Sequence, residues 1–580
     1  MMKFSRLKSY ATLIALLGVS TEWAQAADQQ EPADTVFLNG KLLTVDAKQT
    51  VASAIAIKGD RIVAVGSDKQ IKAYQGSSTK TIQLDGKTMI PGITEAHVHS
   101  IYVAKGMLGR PYRDYSSIEE LQQVIRWLDE ELKDGEWISV PRVPITRLKE
   151  RRHPSTAELD AACTTHPVVF TSARKSALNS LALKKLGLDG ENFPDGLEVV
   201  KDEAGNIRLL GGSIGSLIRK ANPGKIHKSE DVIEALGKVH AIYNSVGITS
   251  IFERANSREQ WDQFQTLRDS GKMTVRATLT FRRQMKSAAM VKQFVADLAL
   301  KPREGDDWLR AGPLKITADG GIHWGTTYLS EAFGKKRTDF YGLKDDPEYH
   351  GNLTFPVDQM TEVFAEATRL GWQMSAHITG DLGITRVLDA LENVSQKQAV
   401  AEMRFHLIHA YFSTADILER GKRLGVCVDT QAYLYLKDAD FIAKVYGKDW
   451  AERFIPLGDW TRAGIPLAIN SDHMDGLDPD HSINSFNPFL MLYAAVARKD
   501  DFGHVYGENQ KLTRMQALQA VTLNPAFLSF DEKIKGSLEV GKLADLVVLD
   551  RDYMNCPEQE IRNIKPTLTM VGGKVVFQRK

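Results

Sequence analysis

Cysteine is scarce in this chain. Its 580 residues include three cysteines, Cys163, Cys427 and Cys556, which are odd in number and far apart. A disulfide framework needs paired cysteines, and a cysteine zinc site needs several at short spacing, so the sequence argues against both. We interpret two or three of them as small buried hydrophobic residues.

The sequence also lacks a charge excess and a long apolar run. The 74 Lys and Arg residues nearly balance the 73 Asp and Glu residues, and the formal net charge of +1 gives no electrostatic basis for binding nucleic acid. No apolar stretch reaches the roughly 20 residues of a membrane-spanning helix. With 43% hydrophobic and 25% charged residues, the composition is typical of a folded globular protein.

The N-terminus has the pattern of a secretory signal peptide. Basic residues precede an apolar core at residues 11–19, and Ala24-Gln25-Ala26 forms a small-residue cleavage site. We therefore expect residues 1–26 to be removed after Ala26. The mature protein would then be periplasmic or secreted, with no membrane attachment after cleavage.

Strand patterns at the two ends of the chain enclose a long region of a different kind. Short hairpins predict half of a small β-sandwich at residues 27–90 and the other half at 536–580. Between them, residues 91–535 alternate apolar strands with amphipathic helices, which predicts an α/β fold, a (β/α)₈ TIM barrel inserted in the sandwich. Because a plain barrel needs about 250 residues, we place an insertion around residues 101–244.

The barrel region contains nine candidate strands, one more than the barrel needs. One of them must therefore be an edge piece or belong to the insertion. The first is the strand that ends in His97 and His99, and the others are Pro167–Thr171, Ile248–Glu253, Val275–Phe281, Leu314–Ala318, Gln373–His377, Phe405–His409, Val426–Gln431 and Pro466–Asp472.

His97 and His99 close the first strand, after Pro91-Gly92. Side chains alternate along a strand, so both imidazoles point to the same side. Two converging imidazoles make half of a metal site. The alternative is a pair of hydrogen-bonded core histidines.

Four further residues lie in or at the ends of candidate barrel strands: Lys315, His377, His409 and Asp472. Barrel enzymes place their sites at the C-terminal ends of the strands, so these side chains can converge with the two histidines. A lysine within an apolar strand is costly unless it is paired, uncharged or modified. The alternative is a salt-bridged or substrate-binding lysine, which would favour a mononuclear site.

The mature sequence resembles the amidohydrolase superfamily, and within it the amidohydrolase-3 branch that includes N-substituted formamide deformylases. The resemblance covers essentially the whole mature chain. Its motifs are the Pro-Gly-x-x-x-x-His-x-His strand, the Lys315-x-x-x-Asp319-Gly320 stretch, His377 with Gly380-Asp381, the Arg404–His409 strand, Ser471-Asp472 and the closing stretch Gly536–Val547.

The resemblance implies a metal-dependent hydrolase with Zn²⁺, two ions per chain, although another divalent metal is an alternative. The implied ligands are His97, His99, Lys315, His377, His409 and Asp472. It further implies that Lys315 is carboxylated and bridges the metals, that Asp472 is the general base and acid, and that a homodimer can form.

These roles predict an exported enzyme that hydrolyses an amide-type C–N bond in a small molecule. The substrate would be an N-acyl compound, a formamide or a cyclic amide, attacked by metal-activated hydroxide. Three alternatives stay open: a deaminase with a mononuclear site, a lactonase, and a metal-bearing binding protein without catalysis.

Other residues around the motifs give weaker indications. His406 lies three residues before His409, so in a regular strand only one of them enters the barrel, and we interpret His406 as structural. His473 should point away from Asp472 unless the chain has already turned. Arg174 stands in a segment where the family usually has a histidine. The candidate substrate-binding residues are Arg174, His323, Trp324 and Tyr328.

Overall fold

The computed structural model describes residues 31–109, 112–133, 135–172, 175–343 and 346–580. The predicted signal peptide and Arg174 lie outside these residues. The described part of the chain forms four sheets, and the largest is an eight-stranded parallel sheet. No helix within the described residues combines the length and the apolar character that a membrane span requires.

The eight-stranded sheet curves into a barrel. A parallel bridge joins Val98 to His473, and the N–H of His99 donates to the His473 carbonyl at 2.8 Å, which brings the first and last strands together. Four of the eight strands are buried along their whole length and the other four along most of it, as expected for parallel strands covered by helices. The strands are β1 (Ile93–Val98), β2 (Ile248–Asn256), β3 (Arg276–Arg282), β4 (Leu309–Thr317), β5 (Met374–Ile378), β6 (His406–His409), β7 (Cys427–Thr430) and β8 (Leu467–Ile469).

Amphipathic helices surround the barrel. Val357–Arg369, for example, buries Met360, Val363, Phe364 and Ala367, the spacing of one helical face. The helices that follow β1 to β8 are Ser100–Met107, Ser229–Ser245, Arg258–Asp269, Ala288–Leu298, Gly334–Tyr341, Val357–Arg369, Asp381–Ser395, Ala415–Arg423, Ala432–Val445, Lys448–Arg453, Leu457–Ala463, Pro488–Ala497, Arg514–Gln519 and Leu523–Leu528.

One of the nine candidate strands lies outside the barrel. The candidate Pro167–Thr171 corresponds to Val168–Ser172, in a separate five-stranded sheet that is part of the region predicted as an insertion. The other strands of this sheet are Ile138–Ser139, Lys175–Leu178, Leu197–Lys201 and Ile207–Gly212, and the helices beside it are Ile118–Glu131, Thr156–Asp160, Ser180–Lys185 and Ile214–Ala221.

Strands from the two ends of the chain share a sheet. Leu546–Leu549 pairs antiparallel with Thr88–Pro91, and this pair lies within a six-stranded sheet. The other members of that sheet are Lys41–Leu43, Val51–Ala52, Pro566–Val571 and Lys574–Gln578. A four-stranded sheet contains Thr35–Leu38, Ala54–Lys58, Arg61–Gly66 and Lys80–Gln83, and buried side chains of the two sheets form one apolar cluster. The predicted fold class, a TIM barrel with a sandwich from the termini, is confirmed.

Candidate metal centre

The two histidines at the end of β1 face Asp472, which follows β8. Nε2 of His97 and Nε2 of His99 each lie 3.3 Å from Oδ1 of Asp472. One ligand atom from each of the three residues falls within 4.8 Å of the others. The closing contact between β1 and the segment after β8 therefore brings together residues that are 373 to 375 positions apart in sequence.

The other predicted ligands lie beside this group. The ring centroid of His409 is 5.3 Å from that of His97 and 4.3 Å from that of His377. Lys315 is buried on β4, and its charge lowers the pKa of His97, His377 and His409, so its ammonium lies among these rings. Burial and the charge of Arg254 lower the pKa of Lys315 itself to about 7.

The hydrogen-bond partners of the four histidines fix which ring nitrogen carries the proton. Each ring has one nitrogen against an oxygen acceptor, so that nitrogen donates and the other presents a lone pair. The contacts are His97 Nδ1 to Asp429 Oδ1 at 3.3 Å, His99 Nδ1 to the Arg254 carbonyl at 3.0 Å, His409 Nδ1 to Gln431 Oε1 at 2.7 Å and His377 Nε2 to the Gly320 carbonyl at 2.8 Å.

The same atoms show that the site fits a divalent metal. Asp472 Oδ1 is buried, and no described residue donates a hydrogen bond to it. The nearest atoms, Nε2 of His97 and His99, also present lone pairs, so three acceptors face one another without a donor. Burial lowers the pKa of His97 well below its ordinary value, which keeps this ring neutral as a metal ligand must be. Imidazole nitrogen and carboxylate oxygen are the ligands that zinc and similar cations prefer.

Comparison with known proteins agrees with this chemistry. A profile of the Amidohydrolase family matches residues 80–577. The chain belongs to the Amidohydrolase family. This membership makes it a metal-dependent hydrolase that acts on carbon–nitrogen bonds other than peptide bonds, and it confirms the predicted family.

Similar proteins cover nearly the whole length of this amidohydrolase. The N-substituted formamide deformylase of Arthrobacter pascens is 24% identical over 566 residues, which are 94% of this chain and 98% of the relative. The putative amidohydrolase YtcJ of Bacillus subtilis (strain 168) is 23% identical over 564 residues, 94% of this chain and 99% of the relative. An uncharacterized metal-dependent hydrolase from Pyrococcus furiosus shares the fold with a TM-score of 0.65 and 21% identity, over 90% of this chain and 100% of that chain.

The amidohydrolase contains a buried ion pair behind the histidines that the sequence analysis did not single out. Arg254 Nη2 lies 2.9 Å from Asp429 Oδ2, and both side chains have no exposed surface. Burial raises the pKa of Asp429 to about 6, against the opposing charges of Arg254 and Lys315. The pair orients His97 through Asp429. Two sequence features could have indicated this pair: Asp429 is a carboxylate within the candidate strand Val426–Gln431, and Arg254 directly follows another candidate strand.

Glu95 lies below the site, where the family often has aspartate. Its Oε1 accepts hydrogen bonds from the N–H groups of His97 and Ser471, at 3.2 and 3.1 Å. Burial raises the pKa of this carboxyl to about 8. The side chain therefore links β1 to the segment that carries Asp472.

The expectation that His406 and His409 face opposite sides is wrong, whereas the interpretation of His406 as structural agrees with its contacts. His406 pairs in register with Ser375, which pairs with Lys315, and paired residues on neighbouring strands point to the same face, so His406 also enters the barrel. The predicted alternation fails because the backbone of His409 is left-handed, with φ +78°. Nε2 of His406 lies 3.2 Å from the carbonyl of Leu528, which gives the ring a structural contact below the metal centre.

His473 points away from Asp472, as predicted. Its Nδ1 lies 2.9 Å from the hydroxyl of Tyr243, and its Nε2 lies 3.0 Å from the carbonyl of Gly476. This buried ring connects the segment after β8 to the helix Ser229–Ser245.

The predicted substrate-binding residues have different surroundings. His323 is near the metal centre, since the charge of Asp472 acts on its pKa, and its Nε2 lies 2.9 Å from Asp438 Oδ2. Trp324 is 47% exposed. The N–H of Tyr328 donates to Asp319 at 3.3 Å. Within the described residues, no contact of Trp324 or Tyr328 directs a polar atom toward the metal centre.

The sequence analysis did not identify two exposed residues near the metal centre. Tyr102 is 55% exposed, and its ring centroid lies 5.7 Å from that of His99. Arg282, at the end of β3, is exposed, and its charge lowers the pKa of Lys315 and His377. It pairs in register with Lys315, one residue past the candidate strand Val275–Phe281.

Proposed function

We propose that this protein hydrolyses the C–N bond of a small amide-type molecule, an N-acyl compound, a formamide or a cyclic amide. The observation that carries the proposal is the convergence of Asp472 Oδ1 with the Nε2 atoms of His97 and His99, three acceptors with no donor between them. The similarity to an N-substituted formamide deformylase over 94% of the chain supports the choice of an amide.

The proposed metal is zinc, with two ions per chain. The residues that would hold it are His97, His99, Lys315, His377, His409 and Asp472. Bound zinc supplies a Lewis acid that polarises a carbonyl and lowers the pKa of a coordinated water.

Lys315 would join this set as a carbamate. In that reaction its amine nitrogen forms a bond to the carbon of CO₂ and gives up two of the three ammonium protons, so a group of charge +1 becomes a carbamate of charge −1. Within the described residues no carboxylate oxygen lies within 4 Å of its Nζ, which weighs against the alternative of a salt-bridged lysine.

Asp472 is the proposed carrier of the proton. With Oδ1 toward the cation, the second carboxylate oxygen of Asp472 would accept a proton from water and deliver it to the leaving nitrogen. Its backbone has φ +56°, and the side-chain amide of Asn484 donates to its carbonyl at 2.8 Å. The segment after β8 is thus held in the conformation that aims the carboxylate at the histidines.

The test combines a substrate panel with metal analysis. The zinc-loaded mature protein is assayed on N-acyl amino acids, formamides, hydantoins and lactams, with lactones and an aminopurine to detect ester hydrolysis or deamination. We expect turnover of at least one amide, its loss on chelation, and a fall in kcat of about 10³-fold or more for Asp472→Asn.

His481→Gln is the matched control, because the His481 side chain is 75% exposed. Its activity should equal that of the wild type. Retained turnover in Asp472→Asn, or in fully chelated protein, would contradict the proposed mechanism. A metal content near one per chain together with aminopurine deamination would favour the deaminase.

We also propose that the protein is exported after removal of residues 1–26. The support is the basic, apolar and small-residue pattern of that segment. Expression of the full chain and of a chain lacking residues 2–26, followed by fractionation and mass spectrometry of the product, tests it. Full-length protein that stays in the cytoplasm would contradict it.

A further inference from the structure

Three side chains from distant parts of the sequence meet beside Asp472. Asp438 is fully buried on the helix Ala432–Val445. Arg147 binds it with two parallel contacts, Nε to Oδ1 and Nη2 to Oδ2, each 3.1 Å. His323 Nε2 lies 2.9 Å from the same Oδ2. A buried carboxylate is thus shared by an arginine of the predicted insertion and a histidine of the barrel mouth.

Arg147 also contacts the segment that carries the catalytic carboxylate. Its Nη1 donates to the carbonyl of Ile483 at 2.6 Å and to Asn484 Oδ1 at 3.3 Å. Asn484 in turn donates to the carbonyl of Asp472. One guanidinium therefore fixes His323, through Asp438, relative to Asp472.

The contact with Asp438 determines which nitrogen of His323 is protonated. Nε2 makes no well-aligned hydrogen bond within the described residues, but two lone pairs 2.9 Å apart would repel each other, so Nε2 carries the proton toward Asp438. Burial lowers the pKa of His323 to about 4, and the ring is neutral at neutral pH. Nδ1 then presents a lone pair, and no described residue donates to it. The side chain is 16% exposed, so part of the ring is accessible to a small molecule.

We propose that His323 accepts a hydrogen bond from the N–H of the substrate through Nδ1, and that Asp438 and Arg147 are positioning residues that hold its ring. This inference rests on the proposed function, because it assumes an amide at the metal centre. A secondary amide or an N–H lactam has the required donor next to the scissile bond, and an N-methylated tertiary amide lacks it. The substrate class is therefore amides that carry an N–H on the leaving nitrogen.

The test compares two amides that differ at that nitrogen, N-butylformamide and N-butyl-N-methylformamide. We expect the wild type to prefer the secondary amide by about tenfold or more in kcat/KM, the value of one hydrogen bond. His323→Leu should abolish this preference, and His323→Gln should retain part of it, because glutamine can donate to Asp438 and still accept from the substrate. Arg147→Met should weaken the preference without removing the acceptor. His481→Gln is again the control.

The outcomes separate this inference from the proposed function. The inference is wrong if the wild type hydrolyses amides and His323→Leu slows the hydrolysis of both compounds equally or leaves both unchanged. His323 would then not bind the N–H of the substrate. If the wild type hydrolyses no amide in the panel, the proposed function fails. Calorimetric binding of the same two compounds to wild type and His323→Leu then decides. Equal affinities, or no binding of either compound, overturn the inference.

Discussion

His240 offers a stability prediction that depends on a single buried ring. It has no exposed surface on the helix Ser229–Ser245, and neither ring nitrogen has a hydrogen-bond partner within the described residues. Its ring lies beside that of Phe264, with ring centroids 6.0 Å apart. Burial alone lowers its pKa from 6.5 to about 3. The folded protein therefore keeps this imidazole neutral, whereas the unfolded chain protonates it below pH 6.5.

The sign of the effect follows from the depressed pKa. The unfolded state binds the extra proton, so the contribution of His240 to stability is fully present above pH 6.5 and is lost as the pH falls toward 3. Between pH 7 and pH 5 the loss amounts to about 2 kcal/mol, since each pKa unit is worth about 1.4 kcal/mol. At pH 7 each of the two unpaired nitrogens of His240 lowers the stability of the folded protein by at most about 1–3 kcal/mol.

His240→Leu removes both costs at nearly constant volume. We expect the variant to be at least as stable as the wild type at pH 7.5, and its advantage to grow by about 2 kcal/mol at pH 5. Urea and thermal midpoints of both proteins across this pH range measure the difference, and His481→Gln, with an exposed imidazole, should follow the wild type. A constant difference between wild type and His240→Leu at all pH values would refute the reasoning.

Two further predictions concern contacts that hold the fold. Arg276 and Asp545 form a buried bidentate pair, at 2.7 and 3.0 Å, between the barrel and the terminal sheet. Arg276→Met leaves the carboxylate unpaired and should lower the free energy of unfolding, measured with denaturant, by about 3–5 kcal/mol. Adding Asp545→Asn should restore part of that stability. A Cβ on Gly380 would lie 1.9 Å from the carbonyl oxygen of Tyr328, so Gly380→Ala should lower the thermal midpoint and the activity, whereas Gly190→Ala, with nothing within 4 Å, should change neither.

The barrel could be predicted because its signals are local. Strands buried on both faces are apolar throughout, and each is followed by a helix with one apolar face, so the alternation is visible in the sequence. The extra strand Val168–Ser172 has the same apolar character as a barrel strand. Its pairing with Lys175–Leu178 is antiparallel, which only the folded structure reveals.

The parts of the site that were missed depend on backbone angles or on contacts across the fold. The backbone of His409 has a left-handed φ, which turns its ring toward the metal centre. The residue type at this position does not predict such a φ. Arg254 and Asp429 are 175 residues apart, and Arg147 and Asp438 are 291 apart, so each pair becomes recognisable only after the strands have closed. The spacing of motifs identifies candidate metal ligands. It gives little information on the residues that orient those ligands.

The charges buried around the metal centre give a further argument for the carbamate. Counted with the ordinary charges of their side chains, Arg254 and Lys315 balance Asp429 and Asp472, and the imidazoles add none. A divalent cation would leave two uncompensated positive charges in a buried site, which is unfavourable. Conversion of the Lys315 ammonium to a carbamate changes its charge from +1 to −1 and compensates one divalent cation.

This charge count predicts a proton release that can be measured without any substrate. An ammonium that reacts with CO₂ to form a carbamate releases about two protons. Bicarbonate consumes one proton when it supplies that CO₂, so zinc titration of the metal-free protein in weakly buffered, bicarbonate-containing solution should release up to about one proton more per chain in the wild type than in Lys315→Gln. Asp472→Asn retains the lysine and should keep the release that depends on it. Equal release by wild type and Lys315→Gln would show that the lysine keeps its charge, and the second positive charge of the bound cation would then need a different counter-ion.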